Sequence, residues 1–151
     1  FLNKRLNRNN DGGTTRRTTD IFQLATTVLF QNPVQNFALA PNNLKDVSPV
    51  CMDYMKTVPT TWDETCFIDG YPGKYVVLAR RHGNTWYLAA VNAGKEIVKL
   101  KLDLDMFAGK TVSLYKDDKK GEPQLVTLKV KESGKVQLEI LPQGGVVLVN
   151  N

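Results

Sequence analysis

Trp62, Asp63 and Glu64, consecutive in the stretch TTWDET, set an aromatic ring beside two carboxylates. That combination suits sugar chemistry, because a ring stacks on a pyranose face while carboxyl groups move protons. The spacing argues against it. Neighbouring residues of a strand point to opposite faces, whereas glycosidic cleavage needs two carboxyls facing each other across one bond, roughly 5 to 10 Å apart. Asp63 and Glu64 therefore cannot be a whole catalytic pair. The competing reading is a joint, with Trp62 packed between two regions and the carboxylates capping backbone or pairing with Arg80 and Arg81.

The remaining reactive side chains make no recognised constellation. Cys51 and Cys66 are too far apart for a zinc pair, whose members sit about two to four residues apart. His82, the single histidine, falls in RRHGNTW, a predicted wet hairpin tip that a buried thiol could hardly reach, so both thiols read as core filling. NDGGTTRR places its glycines before threonines with no strand in front, unlike a phosphate loop. Ser48, Ser113 and Ser133 lack a G-x-S-x-G setting and read as cap, strand and turn residues. Tyr71, Trp86 and Tyr87 suggest a sugar-stacking platform, but Trp86 and Tyr87 are adjacent in a strand and cannot share one. No residue is assigned to catalysis, to a cofactor or to a metal.

The net charge of +5 raises nucleic-acid binding, and its distribution answers the question. Lys4, Arg5, Arg8, Arg16 and Arg17 face only Asp11 in the first seventeen residues, which is +4 of the total. From Lys95 onward ten lysines are interspersed with eight acids, the pattern of a solvated surface and not of a phosphate-tracking groove. The basic arm has no aromatic residues alternating with its charges after Phe1, so no nucleic-acid partner is expected. No stretch approaches the roughly 20 apolar residues of a membrane span, so no membrane partner is expected either. The chain opens on Phe with an aperiodic FLNKRLNRNNDGG, which reads as a piece of something longer.

The elements that must position these residues change period along the chain. Ile21, Leu24, Ala25, Val28 and Leu29 mark one face of a helix, capped by Thr18 or Thr19 and stopping near Asn32 because Pro33 follows. VQNFALAP reads as a short buried strand. A second helix starts with Ser48 as cap and Pro49 in the first position, and ends before Pro59. Helix, strand, helix is the repeat of an α/β barrel or layered sheet, and one such unit cannot bury both faces of its strand. From Phe67 the period becomes two. Seven short strands follow, with Gly83-Asn84 as a two-residue hairpin turn, and predict an antiparallel β-sandwich with one wet face per sheet.

TTRRTTDIFQLATTVLFQNPVQNFALAP, followed by VPTTWDETCFIDGYPGKYVVLARRHGNTWYLAAVNAG, resembles the C-terminal part of glycoside hydrolase family 97, Bacteroides-type enzymes that include α-glucosidases and α-galactosidases. The resemblance covers essentially the whole chain and is most specific from Val58 to Arg81. It implies a mainly β fold, a C-terminal antiparallel β-sandwich preceded by a helix-strand-helix remnant of a (β/α)8 barrel. Residues 1–58 would be the partial end of the catalytic barrel, 59–66 a linker, and 67–151 the sandwich. One departure is the absence from NPVQNFALAPNN of an acidic residue that family members carry after the strand. The catalytic glutamates and the calcium ligands would lie upstream, so this piece would be structural and inactive alone. Its partner would be the upstream barrel of the same polypeptide, with calcium and an oligo- or polysaccharide bound there, at a periplasmic or extracellular address. The alternative is a stand-alone carbohydrate-binding sandwich acting through Trp62 or Trp86.

Overall fold

The computed structural model describes residues 5–6, 14–39, 41 and 44–150. Most of the basic arm, and with it the question of phosphate binding there, lies outside the described residues. Of that arm the backbone shows a short antiparallel pairing of β1 (Arg5–Leu6) with β2 (Thr14–Thr15).

Helix α1 (Asp20–Leu29) forms where the apolar period places it. The Thr19 hydroxyl caps it by accepting the Phe22 N–H at 3.1 Å, and Asp20, paired with Arg16, sits at the positive end of the helix dipole. The chain then turns at Asn32, whose Oδ1 accepts the Val34 N–H across Pro33 at 3.0 Å, an Asx turn. The strand expected from Val34 to Pro41 does not form among the described residues of that stretch. Residues 34–39 are irregular and Val34 is 73% exposed. A strand needs a neighbour to satisfy its backbone, and none of the sheets takes this segment as a member. Helix α2 (Pro49–Thr57) starts at Pro49 as expected, although Ser48 makes no side-chain cap bond.

The sandwich contains eight strands, one more than the sequence reading finds. The addition is β3 (Glu64–Tyr71), which begins inside the stretch expected as linker. It is followed by β4 (Tyr75–His82), β5 (Thr85–Asn92), β6 (Val98–Asp103), β7 (Thr111–Asp117), β8 (Pro123–Lys129), β9 (Lys135–Ile140) and β10 (Gly145–Asn150). Six strands make one sheet in the order β3-β4-β5-β10-β7-β8, and β6 pairs with β9 in a second layer, every pair antiparallel. The β4–β5 turn is Gly83-Asn84, with His82 opposite Thr85 and Gly83 at φ 58°, the left-handed value a II′ turn demands of its first residue.

Two cores lie on the two faces of the large sheet. On one face Val77, Ala79, Leu88, Ala90, Val146 and Leu148 meet the inward row of β6 and β9, namely Leu100, Leu102, Val136, Leu138 and Ile140. On the other, Tyr87, Ala89, Val91 and Val147 meet Ile21, Leu24, Ala25 and Val28 of α1 and Cys51 and Tyr54 of α2. The expectation of one wet face per sheet thus holds for β6 and β9, whose alternate residues are exposed, and fails at the centre of the large sheet. Both faces of β5 are covered because the apolar stripe of α1 needs a surface to bury, and the small side chain of Ala89 lets it approach. None of the described helices is long and apolar enough to cross a membrane.

Candidate functional site at the seam

Residues 60–64 lead from α2 into the edge strand β3, and the β4–β5 hairpin engages both carboxylates of the TTWDET stretch. The Asp63 N–H donates to the Arg81 carbonyl at 2.8 Å, and its Oδ2 accepts the Gly83 N–H at 2.7 Å. Arg81 places Nη1 3.6 Å from that oxygen and Nε 3.2 Å from Glu64 Oε2. His82 joins Nδ1 to the Thr61 carbonyl at 2.9 Å. Asp63 and Glu64 thus share one cation instead of facing each other across a cleft, and exposed pairs of this kind contribute about 0.2 to 1 kcal/mol each. The arrangement tethers a hairpin tip. It leaves no carboxyl pair poised for proton transfer.

Of the two arginines expected as partners, only Arg81 reaches the carboxylates. Register assigns Arg80 to the same sheet face as Val76 and Leu78, and there it is 1% exposed. Its Nη1 donates to the Phe30 carbonyl at 2.8 Å, and its guanidinium lies 5.8 Å from the centre of the Trp62 ring. Burial lowers its pKa, yet an arginine stays charged. Trp62 meets Tyr87 edge to face at 5.3 Å and packs against the helix-side core, which is the joint role foreseen for it.

The other candidates are dispersed. Cys51 is buried in α2, while Cys66 packs at the edge of the opposite core and contacts Glu64 Oε1 at 3.6 Å. Burial pushes the Cys66 thiol up, away from thiolate reactivity. Neither thiol is joined to the exposed His82 ring, whose Nδ1 is held by Thr61. Ser48 caps α2 in position only, Ser113 lies within β7 and Ser133 in an exposed turn. Trp86 packs into the β6/β9-side core and Tyr87 into the helix side, so the two rings are separated by the sheet. Tyr71 is exposed beneath the Lys74 ammonium. Its neighbour across the bulge of β3, Phe67, is 68% exposed, and the sequence reading takes it only as the first residue of the sandwich, not as a binding candidate. Both rings line a cavity of about 360 Å³ with Tyr75, Val76 and Val91. Among the described residues no group of three or more His, Cys, Asp or Glu is placed to hold a metal ion.

The family model described as "Glycosyl-hydrolase 97 C-terminal, oligomerisation" matches residues 61–150 of this sandwich. The chain belongs to glycoside hydrolase family 97. This family 97 chain is 84% identical to a β-arabinopyranosidase of known crystal structure, with a TM-score of 0.94 over 99% of this chain and 24% of that one. It is 27% identical to a family 97 enzyme from Pseudoalteromonas sp. strain K8 solved with panose, at a TM-score of 0.84, covering 100% of this chain and 25% of that one. It is 28% identical over 135 residues to a retaining α-galactosidase from Bacteroides thetaiotaomicron, 83% of this chain and 20% of that protein. The family 97 chain thus spans about a quarter or less of the length of these relatives.

Proposed function

We propose that this chain is the non-catalytic C-terminal portion of a larger glycoside hydrolase, and that it buttresses the upstream catalytic barrel and carries the contacts between copies. The observation that carries the reading is the fate of its two adjacent carboxylates: Asp63 and Glu64 are both engaged by Arg81 at the joint, in a chain whose family model is a C-terminal, oligomerising domain. The barrel would meet the chain where Phe30 and Val34 lie open beside α1, 65% and 73% exposed. The residues up to about Val58 are read as the last elements of that barrel, joined to the sheet by the same helices. Contacts between copies would use the open edge of β3, where Phe67 and Tyr71 form the apolar cavity described above. A bare strand edge with aromatic side chains is a ready template for pairing.

The bond cleaved by the whole enzyme is proposed as the β-arabinopyranosidic or α-galactosidic linkage. The sources are the 84% identical β-arabinopyranosidase and the α-galactosidase relative, and the two sugars agree in chemistry, since β-linked L-arabinopyranose has the ring stereochemistry of α-linked galactose without its hydroxymethyl group. The α-glucosidic alternative is supported by the panose and acarbose complexes of a family 97 enzyme 27% identical to this chain. Calcium and the catalytic carboxyls are assigned to the upstream part, and the address to the periplasm or cell exterior.

The test is hydrolysis of nitrophenyl β-L-arabinopyranoside, α-galactoside and α-glucoside by this chain and by the longer polypeptide containing it. Turnover is expected from the longer form alone, unchanged by Glu64→Gln. Turnover by this chain, lost in Glu64→Gln, would overturn the non-catalytic role. Serine at both Phe67 and Tyr71 should lower the oligomeric state read by light scattering.

A further inference from the structure

Arg80 is the least balanced charge among the described residues of this chain. Its guanidinium has five N–H donors and no acceptor capacity, it is 1% exposed, and its partners in the structure are the Phe30 carbonyl and the face of Trp62. No carboxylate of the described residues pairs with it, and the buried Nε has no hydrogen-bond partner. Trp62 has the same deficit, its buried Nε1 donor being unpaired. A buried cation without a counter-ion is strongly unfavourable, and an unmade hydrogen bond beside it adds to the cost.

Both residues line one cleft of about 400 Å³, whose other walls are Gln31, Pro33, Thr60, Thr61 and Thr65. Its charged wall is cationic, no acidic residue lines it, and its two orphaned groups are both donors. A neutral sugar would leave the charge uncompensated. A carboxylate would neutralise it and, being acceptor-only, matches a wall whose unpaired groups are donors.

We propose that this cleft is the receptor for an aspartate or glutamate side chain delivered by the upstream part of the same polypeptide. The proposal rests on the reading that the chain is the C-terminal portion of a longer enzyme, and it names the contact that fastens the two parts. Location argues for that occupant. Gln31 and Pro33 of its wall are the chain neighbours of the exposed Phe30 and Val34, and in the relatives the rest of the protein that could meet this surface accounts for three quarters or more of the length. Arg80 also reads this surface from beneath, since its bond to the Phe30 carbonyl fixes the end of α1 against β4. A salt bridge placed there would couple domain docking to the helix that covers the sheet.

Thermal unfolding tests this in the 151-residue chain and in the longer polypeptide, with sodium acetate compared with sodium chloride at equal ionic strength. In the chain, acetate should bind the receptor and raise Tm by roughly 2 to 4 °C over chloride. Arg80→Met should abolish that difference, and Trp62→Phe, which removes only the N–H, should reduce it and carries the comparison if Arg80→Met does not fold. In the longer polypeptide the receptor already holds its carboxylate, so acetate should add nothing and Arg80→Met should lower Tm. Equal acetate shifts in the chain and its Trp62→Phe and Arg80→Met variants, or no shift in any, overturn the receptor. A shift that persists in the longer polypeptide, or self-association of the chain abolished by Arg80→Met, overturns the assigned occupant. The receptor can fail while the longer polypeptide still cleaves its glycoside, so the two proposals are judged separately.

Discussion

Asp117 at the end of β7 shows how one carboxylate can hold an element in place at a cost set by pH. Its Oδ2 accepts the Thr19 hydroxyl at 2.9 Å and the Gly145 N–H at 3.0 Å, joining the cap of α1 to the first residue of β10. Burial pushes its pKa up to about 6, with the charges of Asp20 and Asp118 acting in the same direction and the two hydrogen bonds opposing them. Because the folded state holds this proton more tightly than the unfolded chain, Asp117 lowers stability above pH 6, and its penalty is relieved as pH falls from about 7 toward 4. Tm should therefore rise between pH 7 and pH 5, and Asp117→Asn should flatten that rise while raising Tm at pH 7. The variant keeps an oxygen for both donors and removes the half-buried charge. Nothing in KDDKK marks this aspartate as different from Asp118 beside it. Asp118 is the more solvated of the two, and hydrogen bonds from the Glu122 and Lys120 N–H groups draw its pKa down. The distinction comes from which of the two faces the helix.

At the scale of elements, the contact of α1 with the large sheet decides the architecture. At Gly145 the two come into backbone contact, since a Cβ there would sit 2.7 Å from the Phe22 Cα and 2.8 Å from the Ile21 carbonyl oxygen. Gly145→Ala should cost about 1 to 3 kcal/mol by forcing backbone apart, read as a lower urea midpoint. Leu24 is fully buried in the same contact, and Leu24→Ala should cost about 2 to 5 kcal/mol. Both variants should unfold in one transition if helix and sheet form a single cooperative unit. The helix itself was legible in its period and cap, because those are local properties of Thr19 to Leu29. Its target was not, because a stripe of Ile, Leu, Ala and Val states only that some surface must cover it. The false strand at VQNFALAP has the same origin: a short apolar run signals burial against something, and here Val34 is left exposed.

At the scale of the whole molecule, the layers are helices, six-stranded sheet and two-stranded sheet, with a separate core at each junction. Removing residues 1–59 should uncover Tyr87, Ala89, Val91 and Val147. The remaining β portion should bind an apolar dye and unfold at a lower Tm than the full chain. A fragment as stable as the chain would show that the helices serve another part of the protein and not this sheet. The division of labour between the faces follows from the sequence pattern of the strands. VKLKLD and KVQLEI alternate and keep one face in water. TWYLAAVN and GVVLVN are apolar on successive residues, the mark of strands covered on both sides.

By itself the sequence determined seven of the eight sandwich strands, the first helix, the family and the exclusion of a carboxylate pair at Asp63 and Glu64. All of these rest on neighbours a few residues apart, on alternation of faces or on a motif. Tertiary structure alone decided that α1 and α2 cover the large sheet, that Arg81 takes both carboxylates while Arg80 turns inward, and that Asp117, not Asp118, meets the cap of α1. Each of those outcomes depends on which surfaces meet after the chain has folded. One-residue steps along a strand reverse the direction of a side chain, so adjacent residues of identical chemistry come to opposite environments.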